Sequence, residues 1–167
     1  SSAASDVYKR QEAHELTIVS SSLDELEKQN LDKVNLGQHV LAEFFECDPN
    51  ILNSNDKVEK YMIDAALECG ATIVQKCFHM FNPYGVSGVV IISESHLAIH
   101  TWPELGYAAV DLFTCGTKCD PKVAYEFLKK KFNSKKASFT ELKRGIIDRE
   151  TLKLAEQPFE IAEQFED

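Results

Sequence analysis

Residues 71–93, ATIVQKCFHMFNPYGVSGVVIIS, hold two runs rich in β-branched and aromatic residues on either side of a four-residue turn. Ala71 to Phe81 reads as a strand, Asn82-Pro83-Tyr84-Gly85 as the turn, and Val86 to Ser93 as the returning strand. So short a connection joins antiparallel neighbours, because a parallel pair needs a crossover of a dozen residues or more. Downstream, Tyr107 to Phe113 reads as a further strand. Pro121 opens a helix whose apolar positions are Val123, Ala124, Phe127, Leu128 and Phe132, and Ala137 to Leu142 reads as a last strand. Upstream, Val58, Tyr61, Met62, Ala65, Ala66 and Cys69 fall at helical spacing between a cap at Asn55 or Asp56 and a stop at Gly70. Before them HVLAEFFEC, from His39 to Cys47, reads as the first strand and ends in the turn-prone Asp48, Pro49 and Asn50.

The expected order is therefore β-α-β-β-β-α-β. It predicts an α+β two-layer sandwich, with a mainly antiparallel sheet and both helices on one face. Strands as apolar as GVVIIS and AAVDLF need cover on the other face too, and a second copy of the chain supplies it most economically, so a homodimer is expected. Residues 1–35 are polar, with only Leu23, Leu26 and Leu31 at helical spacing, and read as an extension open to disorder. Residues 36–145 form the expected domain and 146–167 a C-terminal tail.

A chain of 167 residues with 44% hydrophobic content can bury one sizeable core. Its net charge of -9 repels nucleic-acid phosphates and anionic lipid headgroups, so neither is an expected partner, while a cationic ligand suits it. The first thirty positions carry charges rather than the apolar run of a signal peptide, and no run of about 18 apolar residues occurs, so a soluble cytoplasmic protein is expected. Five cysteines are too few and odd in number for a disulfide framework. Cys115 and Cys119 offer half a zinc site with no second pair to complete it.

The densest reactive chemistry is SESHLAIHTWPE, residues 93–104, directly after the apolar strand: two serines, two carboxylates, two histidines and the only tryptophan. Four readings compete on the residues alone. His96 and His100 can be ordinary hydrogen-bonded histidines beside a strand, with Trp102 a core or interface anchor. They can be metal ligands at i, i+4, although the segment looks extended and lacks a third ligand. Ser95 and His100 can be the nucleophile and base of a hydrolase, although the G-x-S-x-G elbow is missing. Or they can serve some other catalytic use of a serine near a histidine, including reaction of the serine with its own backbone.

Taken with FNPYGVSGVV upstream and GYAAVDLFTCG downstream, this segment closely resembles the self-processing S-adenosylmethionine decarboxylases of bacteria and archaea. The resemblance runs from about Gly37 to Gly145 and includes HVLAEFFECD and GATIV. It implies cleavage between Glu94 and Ser95: Ser95 Oγ attacks the Glu94 carbonyl, amide becomes ester, and β-elimination and hydrolysis leave a pyruvoyl group at residue 95. In the same comparison His100 matches the base that removes the serine α-proton, and Ser87 matches a serine that assists cleavage. Imidazole suits a base near neutrality, and a hydroxyl near the carbonyl suits developing charge.

The pyruvoyl group implied by the resemblance is the cofactor, with no metal and no pyridoxal phosphate. It forms a Schiff base with the substrate amine and accepts electrons as carbon dioxide departs. Cys115 matches the donor that returns a proton to Cα, which a thiol can do near neutrality. Phe81 and Trp102 match aromatic faces for adenine and sulfonium, and Glu104 a carboxylate for ribose hydroxyls or the adenine environment. The implied product is the aminopropyl donor for spermidine, and the implied pockets lie between protomers. Two rivals stand beside this reading: a related pyruvoyl enzyme acting on ornithine or arginine, and a non-catalytic homologue that assembles with an active partner. The presence of Ser87, Glu94, Ser95, His100 and Cys115 together argues against the second.

Overall fold

The computed structural model describes residues 33–155. Asn35–Gly145 forms one compact unit, and a second takes in Ser1–Val34 and Ile146–Asp167. Of the second unit the described residues are 33–34 and 146–155: the outer ends of two strands and the short helix Arg149–Ala155. That helix has Glu150 in its first turn and Lys153 in its last, a charge order that suits its dipole. The pattern read in Leu23, Leu26 and Leu31 lies outside the described residues.

Along the chain run β1 (Lys33–Phe45), α1 (Pro49–Leu52), α2 (Asn55–Glu68), β2 (Ile73–Met80) and β3 (Val86–Ile92). They are followed by β4 (Ser95–Trp102), a 3-10 turn (Pro103–Leu105), β5 (Tyr107–Cys115), α3 (Pro121–Lys131), β6 (Lys136–Asp148) and α4 (Arg149–Ala155). The six strands form one sheet in the order β2-β3-β4-β5-β1-β6, and the pairs β2–β3, β3–β4, β4–β5 and β5–β1 are antiparallel. The architecture is α+β, as the hydrophobic pattern predicts.

Each strand alternates. Val40 and Phe44 of β1, Val86 and Val90 of β3, Leu97 and Ile99 of β4, and Val110 and Leu112 of β5 point to one face and are almost wholly buried. Against them pack Val58, Met62, Ala65 and Ala66 of α2 and Ala124, Tyr125 and Leu128 of α3, all in one core cluster. Phe44 lies between Tyr125 and Phe132, with ring centroids 5.5 and 5.7 Å away. Side chains of the opposite face, among them Ile91, Ala98, His100, Trp102, Ala109 and Phe113, are half-buried or exposed.

Local rules set the helix ends. Ser54, rather than Asn55 or Asp56, caps α2: its hydroxyl accepts the Lys57 N–H at 3.4 Å. Asp120 caps α3 ahead of Pro121, accepting the Lys122 N–H at 2.9 Å. Pro49 and Asn50, expected in a turn, instead begin the single helical turn α1, which Asp48 caps.

The main departure from the expected order is β4. Its inward residues Leu97, Ile99 and Thr101 alternate as a strand should, but its outward residues are so rich in functional groups that the segment reads as a reactive loop. Thr101 fixes it from the core side. Its hydroxyl accepts the Val86 N–H at 2.8 Å and donates to the Leu52 carbonyl at 2.9 Å. The chain's most reactive segment is therefore a central strand with neighbours on both sides.

Candidate active site

Residues 93 and 94 form the tight connection between β3 and β4, and each is tied to neighbouring backbone. Ser93 N–H donates to the Thr72 carbonyl at 2.8 Å. The Glu94 carboxylate accepts the Thr72 N–H at 3.0 Å, with Lys118 Nζ 3.6 Å away. The Thr72 amide, reinforced by Lys118, holds that carboxyl below the usual carboxylate range. The Glu94 carbonyl accepts the Cys115 N–H at 2.7 Å. With its predecessor pinned at both ends, Ser95 takes a φ of +143°. That region favours glycine, and a side chain held there carries strain of about 1–3 kcal/mol. The strain lies on the residue that follows the Glu94–Ser95 peptide bond.

The Ser95 hydroxyl has a neighbour that the sequence does not single out for it. His96 Nδ1 lies 3.3 Å from Ser95 Oγ. The His96 ring meets Phe113 edge-on, 5.8 Å between centroids, and His39 at 6.4 Å. His39 places Nε2 3.3 Å from Asp111, while Arg144 donates toward its Nδ1 at 3.4 Å and covers the Phe113 ring at 4.8 Å. Cys115 ends β5 on the same outer face as Phe113, opposite Gly37. A Cβ on Gly37 would come within 2.6 Å of the Phe113 ring and 3.1 Å of Cys115 Sγ. Glycine there makes room for both side chains.

Ser87 and His100 form a second centre at the other end of the face. They are cross-strand partners on β3 and β4, and Ser87 Oγ lies 2.7 Å from His100 Nδ1. They line a shallow cleft of about 310 Å³ with Cys77, Gly88, Val89 and Ala98. Aromatic side chains gather nearby: His100 beside Trp102, Trp102 stacked on Tyr107 at 5.2 Å, and Phe45 on the same ring at 5.1 Å. Tyr107 donates to the Glu43 carboxylate, and burial with that partner pushes its phenol up to about 12, so it stays protonated. Phe81, 49% exposed, stands edge-on to His79, whose strand partner is Ser87. Glu104 lines a separate cleft of about 340 Å³ with Pro49, Asn50, Asn53, Tyr84 and Pro103.

Ser95, Glu94 and Cys115 are thus together, as are Ser87 and His100, but the two groups are apart. Ser95 and His100 lie five residues apart on one extended strand, about 16 Å, and on opposite phases of its alternation. His100 cannot reach the Ser95 of its own chain. The half zinc site is not formed either. Cys115 is exposed, whereas Cys119 is buried and shares a hydrogen bond with the Cys69 thiol, which pushes the Cys119 thiol up. Sequence reasoning missed His96 as a neighbour of Ser95, because the contact depends on the unusual Ser95 backbone, which no spacing rule reports.

The family model described as S-adenosylmethionine decarboxylase matches residues 38–145. The chain is 58% identical over 113 residues to an S-adenosylmethionine decarboxylase proenzyme of Clostridium kluyveri, covering 68% of this chain and 90% of that one. It is 56% identical over 120 residues to a proenzyme of the same description from Acetivibrio thermocellus, covering 72% and 96%. Among solved structures it resembles the crystal structure of the adenosylmethionine decarboxylase from Aquifex aeolicus, with a TM-score of 0.65 and 30% identity over 69% of this chain and 95% of that chain.

Proposed function

This chain belongs to the S-adenosylmethionine decarboxylase family, and from that premise we propose that it cuts itself between Glu94 and Ser95 and uses residue 95, as a pyruvoyl group, to decarboxylate S-adenosylmethionine. It is a carboxy-lyase made as a proenzyme, and its product serves as the aminopropyl donor of polyamine biosynthesis. The observation that carries the proposal is the hydrogen bond from the Cys115 N–H to the Glu94 carbonyl, directly before the strained Ser95.

An amide resists conversion to an ester, so cleavage needs a donor waiting for the oxyanion and a distorted ground state. Both are supported here. When Ser95 Oγ adds to the Glu94 carbonyl carbon, the charge grows on the oxygen that Cys115 N–H already contacts. When the C–N bond breaks, residue 95 is freed from its unfavourable φ. Removal of the Ser95 α-proton then expels Glu94 as a carboxylate, and hydrolysis at residue 95 releases ammonia.

The base for that α-proton is His100 of the partner subunit, held by the partner's Ser87. Two observations support this. The chain's own His100 lies about 16 Å away along β4, and the outer face, which carries His100 at one end and Ser95's neighbours His96 and Cys115 at the other, is uncovered by helices in this unit. Stacking two such faces about a two-fold axis at right angles to the strands would bring the His100 end of each copy over the Ser95 end of the other and complete two equal sites. The pyruvoyl group supplies a carbonyl electrophile and an electron sink. Cys115 holds the proton for Cα, Phe81 and Trp102 offer aromatic faces to adenine and sulfonium, and the Glu104 carboxylate, two residues past Trp102 in the neighbouring cleft, is the acceptor for ribose hydroxyls.

Carbon dioxide release separates this substrate from those of related pyruvoyl enzymes. A kcat/KM for S-adenosylmethionine higher by roughly 10²-fold or more than for ornithine or arginine is expected, since only the nucleoside uses the aromatic and ribose contacts. Preference for either amino acid would overturn the substrate assignment.

A further inference from the structure

We propose that His96 is the base for the first step of self-cleavage: it takes the proton from Ser95 Oγ as that oxygen attacks the Glu94 carbonyl, and gives it to the departing Ser95 nitrogen. The inference rests on the self-cleavage reading above and adds a residue to it. His100 accounts for the α-proton only, and the hydroxyl must lose its proton earlier, while the peptide bond is still intact. His96 Nδ1, 3.3 Å from Ser95 Oγ, is the basic group in contact with that hydroxyl.

Aromatic rings stand on two sides of His96. His96 occupies an outward position of β4 beside Phe113, with His39 edge-on to it. His39 is itself held between Asp111 and Arg144. Arg144 lies 3.4 Å from His39 Nδ1, and the buried His39 Nε2 is 3.3 Å from Asp111 without a hydrogen bond of good geometry.

The step balances. The Oγ–H bond breaks and an N–H bond forms on His96, while Oγ forms its bond to the Glu94 carbonyl carbon. Collapse of the oxyanion breaks the C–N bond, and the imidazolium returns its proton to the nitrogen, leaving an ester, a free amine and neutral His96. Imidazole can take and return a proton in one cycle near neutral pH. Two histidines would then divide the maturation: His96 in the same chain as the serine, and His100 from the partner.

The test follows cleavage of freshly made full-length chain by mass, comparing wild type with His96→Ala and His96→Asn. Asparagine keeps an acceptor near the position of Nδ1 without its basicity. Both variants are expected to cut more slowly by about 10²–10⁴-fold, and their uncut chains to resist hydroxylamine because no ester has formed. Added imidazole should accelerate His96→Ala in proportion to its concentration, which a misfolded chain would not allow. Co-expression with Ser95→Ala should leave the His96→Ala chain slow, because its base acts within one chain. Cutting at the wild-type rate by either variant, accumulation of a hydroxylamine-sensitive ester, or rescue by the Ser95→Ala chain would overturn the role of His96 and leave self-cleavage standing. An uncut wild type would remove both.

Discussion

Chains carrying Ser95→Ala or His100→Ala, each uncut when made alone, regain cleavage when the two are made together. The expectation follows from the distance between Ser95 and His100 along β4, which places the imidazole of one chain out of reach of its own serine. In a mixed dimer, one site pairs the Ser95 of the His100→Ala chain with the intact His100 of the Ser95→Ala chain, and the other site lacks both. Random pairing at equal expression puts about half of the His100→Ala chains into such dimers, so about half of them are cut, and none of the Ser95→Ala chains. Alone, the His100→Ala protein stalls as an ester that hydroxylamine cleaves. Mass analysis of the mixture reads the result directly, because the two chains differ in mass. No cleavage in the mixture would mean that each site is built within one chain.

Replacing Cys115 by alanine separates maturation from turnover. The group of Cys115 that contacts the Glu94 carbonyl is its backbone N–H, which alanine retains, so the chain still cuts itself. The thiol proposed to return a proton to Cα is gone, and carbon dioxide release is expected to fall by about 10²–10⁴-fold, the usual contribution of a placed general acid. Alanine leaves free the space that Gly37 opens beside Sγ, so packing does not oppose the change. Parallel measurement of cleaved fraction and kcat checks the split. Wild-type turnover would assign the proton to another group, and loss of cleavage would show that the side chain takes part in maturation.

The sequence made the layers of this fold legible where burial is one-sided. In α2 and α3 the apolar spacing and the Pro121 start mark the helices closely, since a helix with one buried stripe carries its own period. The strands were legible only in part. β1 begins at Lys33 rather than His39, because the pairing of Gly37 with Cys115 and of Gln38 with Thr114 needs backbone groups and no apolar side chains. β6 runs to Asp148 rather than Leu142. It is an edge strand, exposed along most of its length, and so shows no alternation to read.

The site was legible as chemistry and hidden as geometry. The run from Ser93 to Glu104 stands out by composition, but its role as β4, and with it the separation of Ser95 from His100, follows from pairing with β3 and β5. Likewise, Cys115 draws notice for its thiol, whereas the structure adds its amide, a group every residue carries. The positive φ of Ser95 comes from the ties of Glu94 to Thr72 and Cys115, residues 22 and 21 positions away, and no local motif encodes such a constraint.

Intact-mass measurement of the purified protein tests the central claim most directly. Self-cleavage predicts two chains, one ending at Glu94 with a free carboxylate and the other beginning at residue 95 with a pyruvoyl group, resistant to Edman degradation until its carbonyl is converted to an amine. A single uncut chain after long incubation, or a second chain that begins with an unmodified serine, would contradict it.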